Sequence, residues 1–267
     1  MNGVKDISYF YLSLGYIIML FPIYIFAYYK TGIVKDTIIS ILRMTIQLLF
    51  VGIYLEWLFA LNYWWLNLLW ALIMIIAASI SVTNSSGLKL KYFIIPVFLG
   101  ILLSTLIIDA YFFGIIVKLD FVIDARYFIP ITGMILGNSM KNNIVALNSY
   151  YVRLNKEHIL FRFLLANGAT RNEALAPFMK ETLKLSFNPT IASTATMGII
   201  SLPGMMTGQI LGGSNPNLAI KYQIMIILLI FVASVLSVAL TILFSNMYIF
   251  DDFDNFKKNI IKMKNKK

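Results

Sequence analysis

The densest run of side chains that could do more than fill space lies between Gly198 and Gly213. Gly204, Gly208 and Gly212 recur every fourth residue, which places them along one helix face where two backbones can approach closely in lipid. Pro203 removes a backbone donor and frees the carbonyl one turn back, around Ile199. At membrane depth such a carbonyl must meet protein, water or cargo. Met205, Met206 and Gln209 follow, soft thioethers beside an amide, suited either to lining a pathway or to plain packing. Arg43 and Gln47, spaced i, i+4, share a face of an apolar stretch, where a guanidinium needs a partner or water unless it snorkels from a helix end. Asn138 follows Gly133 and Gly137, a second pair of small residues four apart. Asp109, in the fourth stretch, is either a functional candidate by the cost of burying a carboxylate or, if it sits near the outer end of that stretch, a surface residue. These residues suit binding and passage rather than covalent catalysis, and the chain reads as a non-enzyme.

Other chemistries are absent by residue type. There is no cysteine, so disulfides, zinc–thiolate sites and thiol nucleophiles are excluded within these 267 residues. His158 is the only histidine, no Gly-rich phosphate loop occurs, and no ligand set names a metal.

The elements that must hold these residues are membrane helices. Hydrophobic residues make up 60% of the chain and charged residues 13%, against about 25% charged in soluble domains. Too little polar surface remains to face water. The net charge of +10 sits beside apolar spans and suits anionic lipid rather than nucleic acid. A helical span needs about 20 mainly apolar residues, and seven stretches qualify: roughly 7–29, 37–59, 64–83, 92–117, 127–149, 190–212 and 220–246. The first is too long for a cleavable signal core and reads as a retained helix. The expectation is therefore an all-α, multi-pass protein of the cell membrane, a single transmembrane domain over 1–267 with about seven spans. Lysine and arginine set its orientation. With the N-terminus outside, seventeen of them fall in cytoplasmic segments and four outside. The C-terminus, with a basic tail at 251–267, is then cytoplasmic.

One insert, at about 150–188, interrupts the pattern. Residues 157–168 read as an amphipathic helix stopped by Gly168. Thr170 and Glu173 have capping-box spacing and start a second, short helix. Pro177 is expected to interrupt or re-aim it, and Asn188-Pro189 to mark entry to the sixth span. Arg171, Glu173 and Phe178 are then either available to a soluble partner, with Phe178 as an apolar anchor, or part of an ordinary loop helix packed on its own bundle.

The segment SLPGMMTGQILGG at 201–213, preceded by Asn188-Pro-Thr and followed by AIKYQI at 219–224, resembles the ABC-transporter permease family of bacterial FetB. That family also includes the plant aluminium-tolerance permeases of the STAR and ALS type. LANGATRNEA at 165–174 and GMILGNSM at 133–140 are similar to its cytoplasmic loop and fifth span. The resemblance implies a permease subunit without a cofactor of its own, ATP and magnesium being bound by a separate ATPase. It also implies pairing with a second copy and export of a metal ion, best known as iron. Gly168 to Lys184 would be the docking element. Two rivals stand beside this reading, a proton-coupled secondary transporter and a membrane adaptor that anchors a cytosolic partner.

Overall fold

The computed structural model describes residues 7–118, 123–251, 254–255 and 261. The lysines of the tail, from Lys257 onward, lie outside the described residues. Nine helices and no strand are found among those described. They are α1 (Tyr9–Tyr28), α2 (Val34–Leu61), α3 (Trp64–Ser85), α4 (Leu90–Val117), α5 (Ala125–Lys156), α6 (His158–Ala166), α7 (Arg171–Thr196), α8 (Gly204–Leu211) and α9 (Pro216–Ile249). Five of them, α1 to α4 and α9, are long and apolar enough to cross a membrane.

The body is α3, α4, α5 and α9, with α7 laid against α5 and α8 against the start of α9. The tightest approach is that of α4 to α9. A Cβ built on Gly100 would meet Thr241 Oγ1 at 2.3 Å and its backbone N at 2.7 Å, so only a glycine lets these helices touch here. Polar side chains tie the bundle where lipid offers no partner. Asn143 Nδ2 donates to Ser139 O and to Ser237 Oγ, both at 2.8 Å, linking α5 to α9. Tyr151 donates to Asn246 Oδ1 at 3.0 Å, and Asn246 Nδ2 donates to the Tyr150 hydroxyl oxygen at 3.0 Å. At the other end, Asn62 caps α2 in a left-handed conformation (φ 43°) and accepts from the Ala125 N–H at 2.9 Å. By contrast α1 buries no residue and α2 buries only Leu58. These two helices lie outside the body; α1 is apolar along its length, while α2 carries Arg43 and Gln47 on one face of a mainly apolar helix.

Two expectations are corrected. The sixth stretch, 190–212, is not one helix: α7 ends at Thr196, a turn follows in which the Gly198 N–H donates to Ser201 O at 2.9 Å, and α8 begins only at Gly204. Pro203 cannot continue a helix from the residue before it, and Gly198 (φ +88°) has already turned the chain. The helix after Gly168 is long, not short. It runs 26 residues straight through Pro177 and Pro189. Both prolines sit on its exposed side and leave the carbonyls of Glu173 and Leu185 without their usual helical donors.

Candidate functional site

Four of the residues singled out by type line one cavity. Arg43 and Gln47 of α2 face Gly133 and Gly137 of α5 across a space of about 770 Å³, with Ser81 and Asn84 of α3 on a third side. The cavity lies toward the end of the bundle where α5 turns into α6 and α7. There Asn148 Nδ2 of α5 donates to Ser86 O, just past α3, at 3.0 Å. Gly133 and Gly137 do not press on a neighbouring helix, as their spacing suggested. No atom lies within 4 Å of a Cβ built at either, and their missing side chains are what leaves the space open. Arg43 is the one charged side chain in this wall, and among the described residues no carboxylate forms an ion pair with it. The rest of the wall mixes Gln47, Ser81, Asn84 and Ser85 with Met, Ala, Ile and Leu side chains, so the exposed Arg43 guanidinium is the group there that could bind an anion. Asn138, the neighbouring candidate, is half-buried and donates to Met134 O on its own helix at 2.9 Å, so its amide is spent locally.

A second cavity, about 440 Å³, lies at the opposite end between the 197–203 turn, α8 and α9. Pro203 and Met206 line it, together with Gln223, which the sequence reading did not single out. Gln223 is buried with its Oε1 unpartnered among the described residues. Met205 packs away from this space, in the apolar cluster around Phe112 and Phe128, and Gln209 is half-buried outside the lining. Gly204 and Gly208 share α8, whereas Gly212 falls at its C-terminal cap, so the expected three-glycine face is two glycines long. Nothing lies within 4 Å of a Cβ at Gly204 or Gly208. Among the described residues no other helix closes on these two positions.

The connection α6–Gly168–α7 is built as its residues require. Gly168 adopts φ +87°, a conformation strained for any side chain, and so ends α6. The Thr170 N–H and hydroxyl donate to Glu173 Oε2 at 2.8 and 2.7 Å, and the Glu173 N–H donates back to Thr170 Oγ1 at 3.4 Å. This closes the predicted capping box. These bonds hold the exposed Glu173 carboxyl below the usual glutamate range, the Thr170 backbone bond contributing most.

Two residues assigned to a partner are engaged elsewhere. Phe178 is 1% exposed, packed in the core under the Arg153 guanidinium, which lies 5.8 Å from its ring centroid. It cannot anchor a partner without opening α7 from α5. Arg171 pairs with Asp254, donates to Asp251 O at 3.1 Å, and stacks its guanidinium 5.4 Å from the Phe250 ring centroid. What the connection does expose is Gly168, Thr170, Asn172, Glu173, Pro177 and Lys180. On α6, Ile159 (73% exposed) and Phe163 (62%) stand bare one turn apart. Among the described residues no group of three or more His, Cys, Asp or Glu comes together to hold a metal ion.

A helical bundle with five helices apolar and long enough to cross a bilayer, and with mainly apolar cavities at opposite ends that each hold a few polar side chains, is a multi-pass membrane protein of the permease type. The chain belongs to the Uncharacterised protein family (UPF0014), whose model matches residues 9–250. It is 34% identical over 223 residues to the UPF0014 membrane protein YjkA of Bacillus subtilis, covering 82% of this chain and 86% of that one. It is 33% identical over 220 residues to the probable iron export permease protein FetB of Escherichia coli, covering 80% and 82%. Protein ALUMINUM SENSITIVE 3 of Arabidopsis thaliana is 39% identical over 119 residues, 44% of each chain. No solved structure matches the chain.

Proposed function

We propose that this chain is the membrane-spanning subunit of an ABC transporter that exports a metal ion, with iron as the cargo, driven by a separate ATPase. The observation that carries the reading is the likeness, over four-fifths of both chains, to a protein named as an iron export permease. Counting α5 and α7 with the five apolar helices gives seven crossings, N-terminus outside and C-terminus cytoplasmic, which agrees with the distribution of lysine and arginine. In that orientation the Arg43 cavity opens toward the cytoplasm, and the α6–Gly168–α7 connection is the cytoplasmic docking surface. Asn172, Glu173, Pro177 and Lys180 replace Phe178 as the contact residues there.

ATP and magnesium act on the partner, whose closure would tilt α7 against α5 and reshape the cavity lined by Gly133 and Gly137. A bare dication would be repelled by Arg43, so the metal enters with an anionic ligand that the guanidinium can bind. Gly204 and Gly208, bare in one chain, suit pairing with a second copy.

The test is metal uptake into inverted membrane vesicles holding this chain and the ATPase. Uptake that requires ATP, magnesium and the ATPase, and that falls at least about tenfold with Arg43→Ala, supports the proposal. Uptake that runs without ATP and collapses with the proton gradient would replace it with a proton-coupled carrier. No transport, with the chain still retaining a cytosolic protein, would leave an adaptor.

A further inference from the structure

A third cavity, about 370 Å³, lies between α3, α4 and α5 at the end away from the α6–α7 connection, and the metal-export reading makes no use of it. Its wall is apolar except for Thr105 and Asp109 of α4 and Thr132 of α5. Asp109, read from the sequence as either a buried carboxylate or a surface residue, is only 7% exposed. Depth in the bundle is set by α3 and α5 closing over it, which the sequence of α4 alone does not reveal. Thr132 Oγ1 donates to Asp109 Oδ2 at 2.8 Å. Asp109 Oδ1 and the hydroxyl of Thr105, one turn earlier on the same helix face, are both buried without a hydrogen-bond partner among the described residues.

Among the described residues no positive group pairs with the carboxyl or lines its cavity. The lining contributed by α3, α4 and α5 contains no other titratable side chain. On α9, Ile226, Leu229 and Ala233 share an apolar cluster with Ile108 and Phe112 at this level. Near the mouth, Arg126 is held by Asp124 at 3.2 Å, and Lys118 forms no ion pair among the described residues. A lone negative charge in such surroundings costs several kcal/mol. The carboxyl therefore carries its own cation. Three hard oxygens on two helices suit one that is small and hard.

We infer that Asp109, with Thr105 and Thr132, forms an exchangeable site for a proton or a bare monovalent cation at the outer end of the bundle. The site stands whether or not the chain exports metal, and its test needs neither transport nor an ATPase. Dicyclohexylcarbodiimide, an apolar reagent for carboxylic acids, is applied to the full chain in lipid nanodiscs, and modified peptides are read by mass spectrometry. Asp109 should be modified. If the occupant is a proton, the rate should fall about tenfold per pH unit on the alkaline side. If it is a metal cation, sodium chloride should slow the reaction several-fold relative to choline chloride at fixed pH. Asp109→Asn should remove the modification. Thr132→Val, which keeps the carboxyl and frees Oδ2, should change its rate several-fold even if the asparagine variant fails to fold. An Asp109 that stays unmodified in the folded chain overturns the inference. So does a modification indifferent to pH and to sodium, or one that Thr132→Val leaves unchanged.

Discussion

At the scale of single residues, two glycine environments separate packing from space. Gly100 is pressed against the Thr241 backbone, whereas Gly133 and Gly137 face a cavity and Gly204 and Gly208 face nothing in their own chain. Gly100→Ala should therefore cost about 1–3 kcal/mol, as overpacking in a tight interior does, while Gly133→Ala should be close to neutral. Denaturant unfolding of the purified chain in detergent distinguishes them, and equal losses would refute this account of the α4–α9 contact. A signal for Gly100 was present in the sequence: Ser104 lies four residues on, and α9 offers Ser234, Ser237 and Thr241 along one face. The sequence reading weighed instead the glycines that sit beside proline and methionine, where pattern draws attention but contact does not follow. Asp109 and Gln223 were illegible for a related reason. Whether a polar side chain in an apolar helix faces lipid, water or protein depends on its neighbours, not on its own helix.

At the scale of elements, local rules held where backbone groups alone decide the outcome. The Gly168 elbow and the Thr170–Glu173 capping box form as read, because a helix end must satisfy its own N–H groups whatever packs around it. The prolines misled, because removing one hydrogen bond stops a helix only if tertiary contacts do not hold it. Thr190 Oγ1 donates to Asn142 Oδ1 at 3.4 Å, and Phe187 is buried, so α7 is carried past Pro189 by α5. The capping box also sets a pH dependence. Glu173 has a lowered folded-state affinity for its proton, so its contribution is present above the ordinary glutamate range and is lost as the pH falls through the depressed folded value. The protection factors of the Glu173 and Ala174 amides, which divide out the base-catalysed intrinsic rate, should thus fall in acid and be high at neutral pH, and Glu173→Gln should flatten the difference. A flat profile in the parent chain would mean that the box does not order the first turn of α7.

For the molecule as a whole, composition settled the solvent and most of the helices, since 13% charged residues cannot clothe a water-soluble surface. It did not settle which rods cross. α5 covers the stretch 127–149 read as a span, yet neither α5 nor α7 is among the five helices long and apolar enough to cross, and both are held in the bundle by side chains such as Asn142 and Asn143. The lack of native cysteine makes the proposed orientation directly measurable with single introduced thiols. In intact cells an impermeant maleimide should label Ser8→Cys and Ser214→Cys but not Asn167→Cys, and opening the cells should expose the last. The opposite pattern would invert the assignment, and with it the sidedness of both cavities. The clasp of Arg171 by Phe250, Asp251 and Asp254 bears on how such work is done. It makes the end of α9 and the start of α7 one mechanical unit. A handle joined directly after residue 255 sits beside the surface proposed for an ATPase, while one fused before α1 hangs from a helix that buries nothing. The choice of tag is already an experiment on this protein.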